Sequence, residues 1–164
     1  MTTNSLDTAL EVQLEIQRNT ESDSVPADKQ FELWVRKALS GRCGQADLVI
    51  RIVDIEEAQQ FNLKYRNKDY ATNVLSFPNE LPEGVPAEAA GHGLGDLLIC
   101  APVVIAEAQQ QHKQESDHWA HLTVHGVLHL LGYDHEADPE ALVMEALETE
   151  ILNGLGVSDP YHVH

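Results

Sequence analysis

Cysteines and basic residues are scarce in this chain, and a long apolar run is missing. Cys43 and Cys100 are the only two cysteines among 164 residues and lie far apart. That spacing excludes a disulfide framework and a CxxC metal site, and it suits a reducing compartment. The longest apolar run, residues 97–106, is interrupted by Pro102, whereas a membrane-spanning helix needs about 20 residues. The opening MTTNSLDTALEVQ has no basic stretch followed by an apolar one, so no signal peptide is expected. The expected location is cytoplasmic, with no membrane partner. Lysine and arginine total 10 against 27 acids, a formal charge of −17 with nine histidines besides. At face value this disfavours nucleic acid, because phosphate binding needs cations. The scarcity is uneven, however. Residues 114–164 hold ten acids and no Lys or Arg, while residues 36–68 hold seven bases against four acids, a local net of +3.

What is present reads as one globular domain, residues 1–164, with residues 1–8 expected to lack fixed structure. Hydrophobic residues make up 43% and charged residues 23%, and the length matches a single domain with a core of its own. Residues 10–18 alternate apolar and polar, as in a half-buried strand. Residues 27–40 carry Phe31, Leu33, Trp34, Val35, Ala38 and Leu39 near helical spacing, and Gly41 follows as a stop. Residues 47–54 read as a second strand. Residues 55–65, with Ala58, Phe61, Leu63 and Tyr65, read loosely as a second helix. Strands at 73–77 and 94–100 flank a loop rich in Pro, Gly and Glu at 78–93. Helices follow at 103–114, with Pro102 in the first turn, at 117–131, and from Asp138-Pro139-Glu140 to Asn153-Gly154. The order β-α-β-α-β-β-α-α-α predicts an α/β (α+β-like) fold: a small mixed four-stranded sheet packed with about five helices.

The chemistry concentrates in His125-Gly126-Val127-Leu128-His129-Leu130-Leu131-Gly132-Tyr133-Asp134-His135. Spaced i, i+4 on a helix, His125 and His129 project from one face and can reach one ion. Gly132 stands where a helix end needs positive φ, so His135 can return over the same face. Three imidazoles with an open fourth position make a catalytic type of zinc site, although Fe, Ni or Cu would also suit. His121 continues the stripe, but eight residues of helix span about 12 Å, so one ion takes the pair 121/125 or 125/129. Only the second pair has the glycine turn and a third histidine nearby. His118 is displaced from the stripe, and His92, His112, His162 and His164 lack partners in sequence.

The spacing HxxxHxxGxxH is that of metzincin peptidases. Those enzymes carry Glu directly after the first histidine as general base, and this chain has Gly126. Met144, nine residues after His135, falls inside the last helix and reads as core, not as a Met-turn. Peptidase chemistry is therefore a minor alternative, and activated water remains available for another electrophile such as a phosphodiester.

HLTVHGVLHLLGYDH at 121–135 closely resembles the signature of the YbeY family of metal-dependent endoribonucleases. NLKYRNKDYATNVLSFP at 62–78 resembles that family's block YRxKDxPTDVLSFP, and LGDLLIC at 94–100 resembles its GDI-type strand. The blocks fall in family order across residues 50–160. Ala71 stands where Pro is usual and Asn73 where Asp is frequent. The resemblance implies a compact α/β domain with a metal cleft, metal ligands His125, His129 and His135, and a cleft-facing Arg66. It also implies hydrolysis of single-stranded RNA in 16S rRNA 3′-end maturation and ribosome quality control. The implied partners are single-stranded RNA or rRNA, and the ribosome or ribosomal proteins, with no DNA.

On this reading the cofactor is one Zn per chain, activating water for attack on phosphorus, and Arg66 binds the phosphate through its two-pronged guanidinium. Glu136 and Asp96 are candidate bases, Asp134 a turn residue, and Ser76 cleft lining. The alternative is a ribosome-associated assembly factor with a structural metal, offering the acids of its last helix (Glu140, Glu145, Glu148, Glu150) to basic proteins.

Overall fold

The computed structural model describes residues 10–78, 93–133 and 138–157. The expected disorder at 1–8, nearly all of the 78–93 loop, and His92, Asp134, His135, Glu136, His162 and His164 lie outside the described residues. The elements follow the predicted order: β1 (Glu11–Asn19), α1 (Asp28–Leu39), β2 (Gln45–Val53), α2 (Ile55–Arg66), β3 (Val74–Pro78), β4 (Gly93–Cys100), α3 (Ala101–Gln110), α4 (Glu115–Leu130) and α5 (Asp138–Gly154). No helix among the described residues is long and apolar enough to cross a membrane.

The sheet order is β1-β2-β4-β3. β1 and β4 both run parallel to β2, and β3 pairs antiparallel with β4, with Ser76 opposite Leu97 and Phe77 opposite Asp96. Alternation then sorts the side chains. Leu48, Ile50, Ile52, Leu97 and Ile99 face the main core with α1 and α4, while Val53, Leu75, Leu98 and Cys100 face a smaller core under α2 and α3. Helix α4 is the spine of the main core. From His118 to Leu130 every residue is buried except His121, His125 and His129, so the histidine stripe is its one open face. Trp119 meets Phe31 edge-on at 5.8 Å, and both are fully buried; burying a large apolar side chain contributes about 1.5–3 kcal/mol. Met144 is buried within α5, as the sequence predicts.

One expectation needs correcting. Helix α3 stops at Gln110 instead of residue 114, because His112 turns left-handed at φ 56° and the Lys113 N–H closes the end onto Ala108 O. In α2 the buried pair is Ala58 and Asn62, whereas Leu63 and Tyr65 stand exposed. Buried polar groups are usually hydrogen-bonded; Asn62 donates Nδ2 to Tyr70 O at 2.7 Å, while its Oδ1 has no partner among the described residues.

Candidate metal centre and cleft

Three imidazoles and one guanidinium line a cavity of about 310 Å³. His121, His125 and His129 come from α4, Arg66 from the end of α2, and Asn73 and Ser76 from the approach to β3 and the strand itself. The rings of His125 and His129 lie 4.6 Å apart, closer than the 6.1 Å between His121 and His125.

Arg66 reaches the cavity because α2 ends there. Asn67 takes the left-handed conformation (φ 60°, ψ 33°) and returns its N–H to Leu63 O, a geometry Asn tolerates better than most residues. The Asn62 bond to Tyr70 O then pins the loop that follows. Among the described residues Arg66 makes no ion pair, so its charge is available to an anion. Ser76 donates Oγ to Gly126 O at 3.3 Å, which ties β3 to α4 and fits its predicted role as cleft lining.

A Cβ at Gly126 would lie 2.7 Å from Leu97 Cδ2, so a side chain there would require the buried Leu97 side chain to shift. Gly132 adopts φ 103° as predicted, and the Tyr133 N–H returns to Leu128 O at 3.0 Å, capping α4 directly after His129.

The largest departure from the sequence reading is Glu148. Expected on an acidic surface with Glu140, Glu145 and Glu150, it is fully buried, while Glu140 and Glu150 are exposed. Its Oε1 bonds His125 Nδ1, and its Oε2 lies 3.7 Å from His121 Nε2. His121, His125 and Glu148 place ligand atoms within 4.8 Å of one another. Burial holds the His121 imidazole below its ordinary pKa despite the opposing pull of Glu148. Its neutral form is the one a metal or a proton requires. The carboxylate on His125 Nδ1 reproduces the usual outer partner of a metal-bound imidazole. While that bond persists, His125 can bind a metal only through Nε2. A donor set of clustered imidazoles with a buried carboxylate fits a divalent transition ion. The signal for Glu148 in the sequence was weak: it lies at i+4 from buried Met144, a core spacing that its charge disguises.

Asp96 is overturned as a candidate base. It faces the other side of the sheet, beside Gln13, Glu15 and Asp47, because alternation along β4 sends its neighbour Leu97 toward α4 and Asp96 away. His118, off the stripe as predicted, is buried and bonds Glu107 Oε1 at 2.9 Å through Nε2. Asn73 donates to the same oxygen at 3.0 Å. Burial pushes the Glu107 carboxyl up, but its bonds with His118 and Asn73 outweigh that and hold it below its ordinary value. Neither Cys43 nor Cys100 is an activated nucleophile, since burial raises both thiols. A larger, shallower depression of about 620 Å³ beside Asp54, Glu56 and Glu57 holds no imidazole. Glu57 there is already engaged by Asn19 and Arg51.

Comparison with known proteins agrees with the geometry. The family model described as endoribonuclease YbeY matches residues 15–156. The endoribonuclease YbeY of Stenotrophomonas maltophilia strain K279a is 61% identical over 137 residues, covering 84% of this chain and 85% of that protein. The one from Xanthomonas axonopodis pv. citri is 58% identical over the same shares. The solution structure of TM1509 from Thermotoga maritima superposes with a TM-score of 0.53 over 90% of this chain and 99% of that one; at 23% identity it speaks for the fold alone. The chain therefore belongs to the YbeY endoribonuclease family.

Proposed function

We propose that this protein is a metal-dependent, single-strand-specific endoribonuclease acting in 16S rRNA 3′-end maturation and ribosome quality control, on rRNA presented by the ribosome or its proteins in the cytoplasm. The observation that carries the chemistry is the meeting of Arg66 with the histidine stripe across one 310 Å³ cavity. His125, His129 and His135 would hold one ion, zinc in the first instance, with Glu148 fixing His125 through Nδ1. When bound, such an ion supplies a Lewis acid that acidifies water and polarises a phosphoryl oxygen.

The remaining work belongs to side chains of this chain. Arg66 takes two phosphate oxygens in a fork and offsets the charge that grows as phosphorus is attacked. The Asn67 turn ends α2 beside the cavity that Arg66 and the histidines line, which supports this role for Arg66. The absence of a peptidase base at Gly126, where a side chain would have to displace the buried Leu97, supports phosphodiester over peptide chemistry. The burial of Glu148 likewise removes the central acid from the surface invoked for a purely structural, partner-binding role.

The test is cleavage of single-stranded RNA and metal content measured together. His129→Ala is expected to lose both. Arg66→Ala is expected to keep its metal and lose about 10²–10³-fold in kcat. Full nuclease activity in a metal-free His129→Ala protein would overturn the proposal.

A further inference from the structure

The exposed aromatic group on α2 has no role in the chemistry above. The chain is poor in aromatics, at 5%, yet Phe61, Tyr65, Tyr70 and Phe77 fall within 17 consecutive residues. Three of them form one body. The Tyr65 ring stacks on Phe61 (5.7 Å between centroids, 20° between planes) and meets Phe77 edge-on at 5.2 Å. Such contacts prefer defined offsets and fix the ring. Tyr65 nevertheless remains 54% exposed, as does Tyr70. A large apolar ring that is held rigid and left in water marks a binding surface.

Its surroundings name the partner. Lys64 Nζ lies 5.2 Å from the Tyr65 centroid. Arg66, the next residue, lines the catalytic cavity, and Lys68 follows. Residues 61–77 carry these three bases against one acid, Asp69, in a chain whose acids outnumber its bases 27 to 10. Asp69 is already engaged by Gln59. Phe77 and Ser76 alternate along β3, an edge strand of the sheet, so Ser76 faces the cavity and Phe77 the aromatic group.

We infer that Tyr65, backed by Phe61 and Phe77, is a stacking ledge for one unpaired base of a single-stranded RNA whose phosphate sits at Arg66. The inference rests on the endoribonuclease reading and deepens it. A base held in a duplex has both faces covered by its neighbours, whereas a splayed base can lie flat on an aromatic ring. The ledge therefore supplies a physical source of single-strand preference. Stacking is sequence-tolerant because every base has a π-face. Lys64 and Lys68 pair with the phosphates on either side. A second copy meeting this one through the same patch would bring like charges together.

The experiment uses the full-length metal-loaded protein, a short fluorescent single-stranded RNA and a duplex of the same sequence. Tyr65→Ala is expected to weaken single-strand binding by roughly 5- to 150-fold, with wild-type metal content and circular dichroism, and to narrow the gap between single strand and duplex. Tyr65→Phe, which keeps the ring, should bind within about twofold of wild type. An abasic residue walked along the RNA should cost affinity at one position in the wild type, and that position should add nothing in Tyr65→Ala. Tyr65→Leu, which fills the space against Phe61 and Phe77 without a π-face, stands in should the alanine variant not fold. Single-strand affinity in Tyr65→Ala or Tyr65→Leu equal to wild type refutes the ledge and leaves the endoribonuclease reading standing. A wild-type protein that neither binds nor cleaves single-stranded RNA refutes both.

Discussion

Glu148→Gln probes the metal centre at its least expected residue. The wild-type carboxylate is fully buried and spans His125 Nδ1 and the neighbourhood of His121 Nε2. The amide keeps the shape and one acceptor oxygen but removes the charge, so packing is retained while the hold on His125 and the pull on His121 weaken. Losing an outer partner of a metal-bound imidazole costs about 10–100-fold in metal affinity, equivalent to about 1.4–2.7 kcal/mol. Alanine is the poorer choice, because it would leave a cavity and unpaired nitrogens together. The assay is zinc competition against a chromophoric chelator, using protein stripped of metal and checked for its fold. Two comparisons assign the role. If His125, His129 and His135 bind the ion, His129→Ala loses nearly all affinity while His121→Ala stays within about tenfold of wild type. If Glu148 is itself a ligand with His121 and His125, those two effects exchange places. Wild-type zinc affinity in His129→Ala would refute the proposed ligand set. Unchanged affinity in Glu148→Gln would refute the orienting role.

Other perturbations follow from the same geometry. Gly126→Ala drives a methyl to 2.7 Å from Leu97, and overpacking of about 1–3 kcal/mol, partly offset by about 1 kcal/mol of helix propensity, should lower the midpoint of urea unfolding; an unchanged midpoint would mean that α4 and β4 do not pack this tightly. Gly126→Glu, which supplies the peptidase residue, should destabilise further and confer no peptide hydrolysis on casein. The Glu107 carboxyl is held below its ordinary 4.5, so the native state binds its proton less readily than the unfolded chain does. Its stabilisation is therefore complete above about pH 4.5 and is lost as pH falls through the native value. The stability difference between wild type and Glu107→Gln should shrink across that acid range, and a constant difference would deny the linkage. Single-strand affinity should fall with salt at a log–log slope near −2, since three cations at about −0.7 each set it; a flat response would remove Lys64, Arg66 and Lys68 from the interface.

The elements were legible in the sequence because period and punctuation are local properties. Alternation in 10–18, the i, i+4 histidines, Pro102 in a first turn and Gly132 at a helix end each state a backbone geometry within a few residues. Even the end of α3 failed locally: nothing in residues 110–114 announces a left-handed His112. In α2 the sequence marked the helix but not its covered face: Ala58 is buried and Tyr65 stands outside.

By itself the sequence determined the order of elements, the histidine stripe and the family blocks, since each is written in contiguous residues. Only the tertiary structure decided that Glu148 lies under His125, that Asp96 faces away from the cleft and that Gly126 is a contact with Leu97. The first and last join residues 23 and 29 positions apart in sequence, and the second turns on which face of a strand is covered. No local pattern encodes such distances. They are fixed when α4 settles on the sheet and α5 on α4, which buries Glu148 beside the histidines.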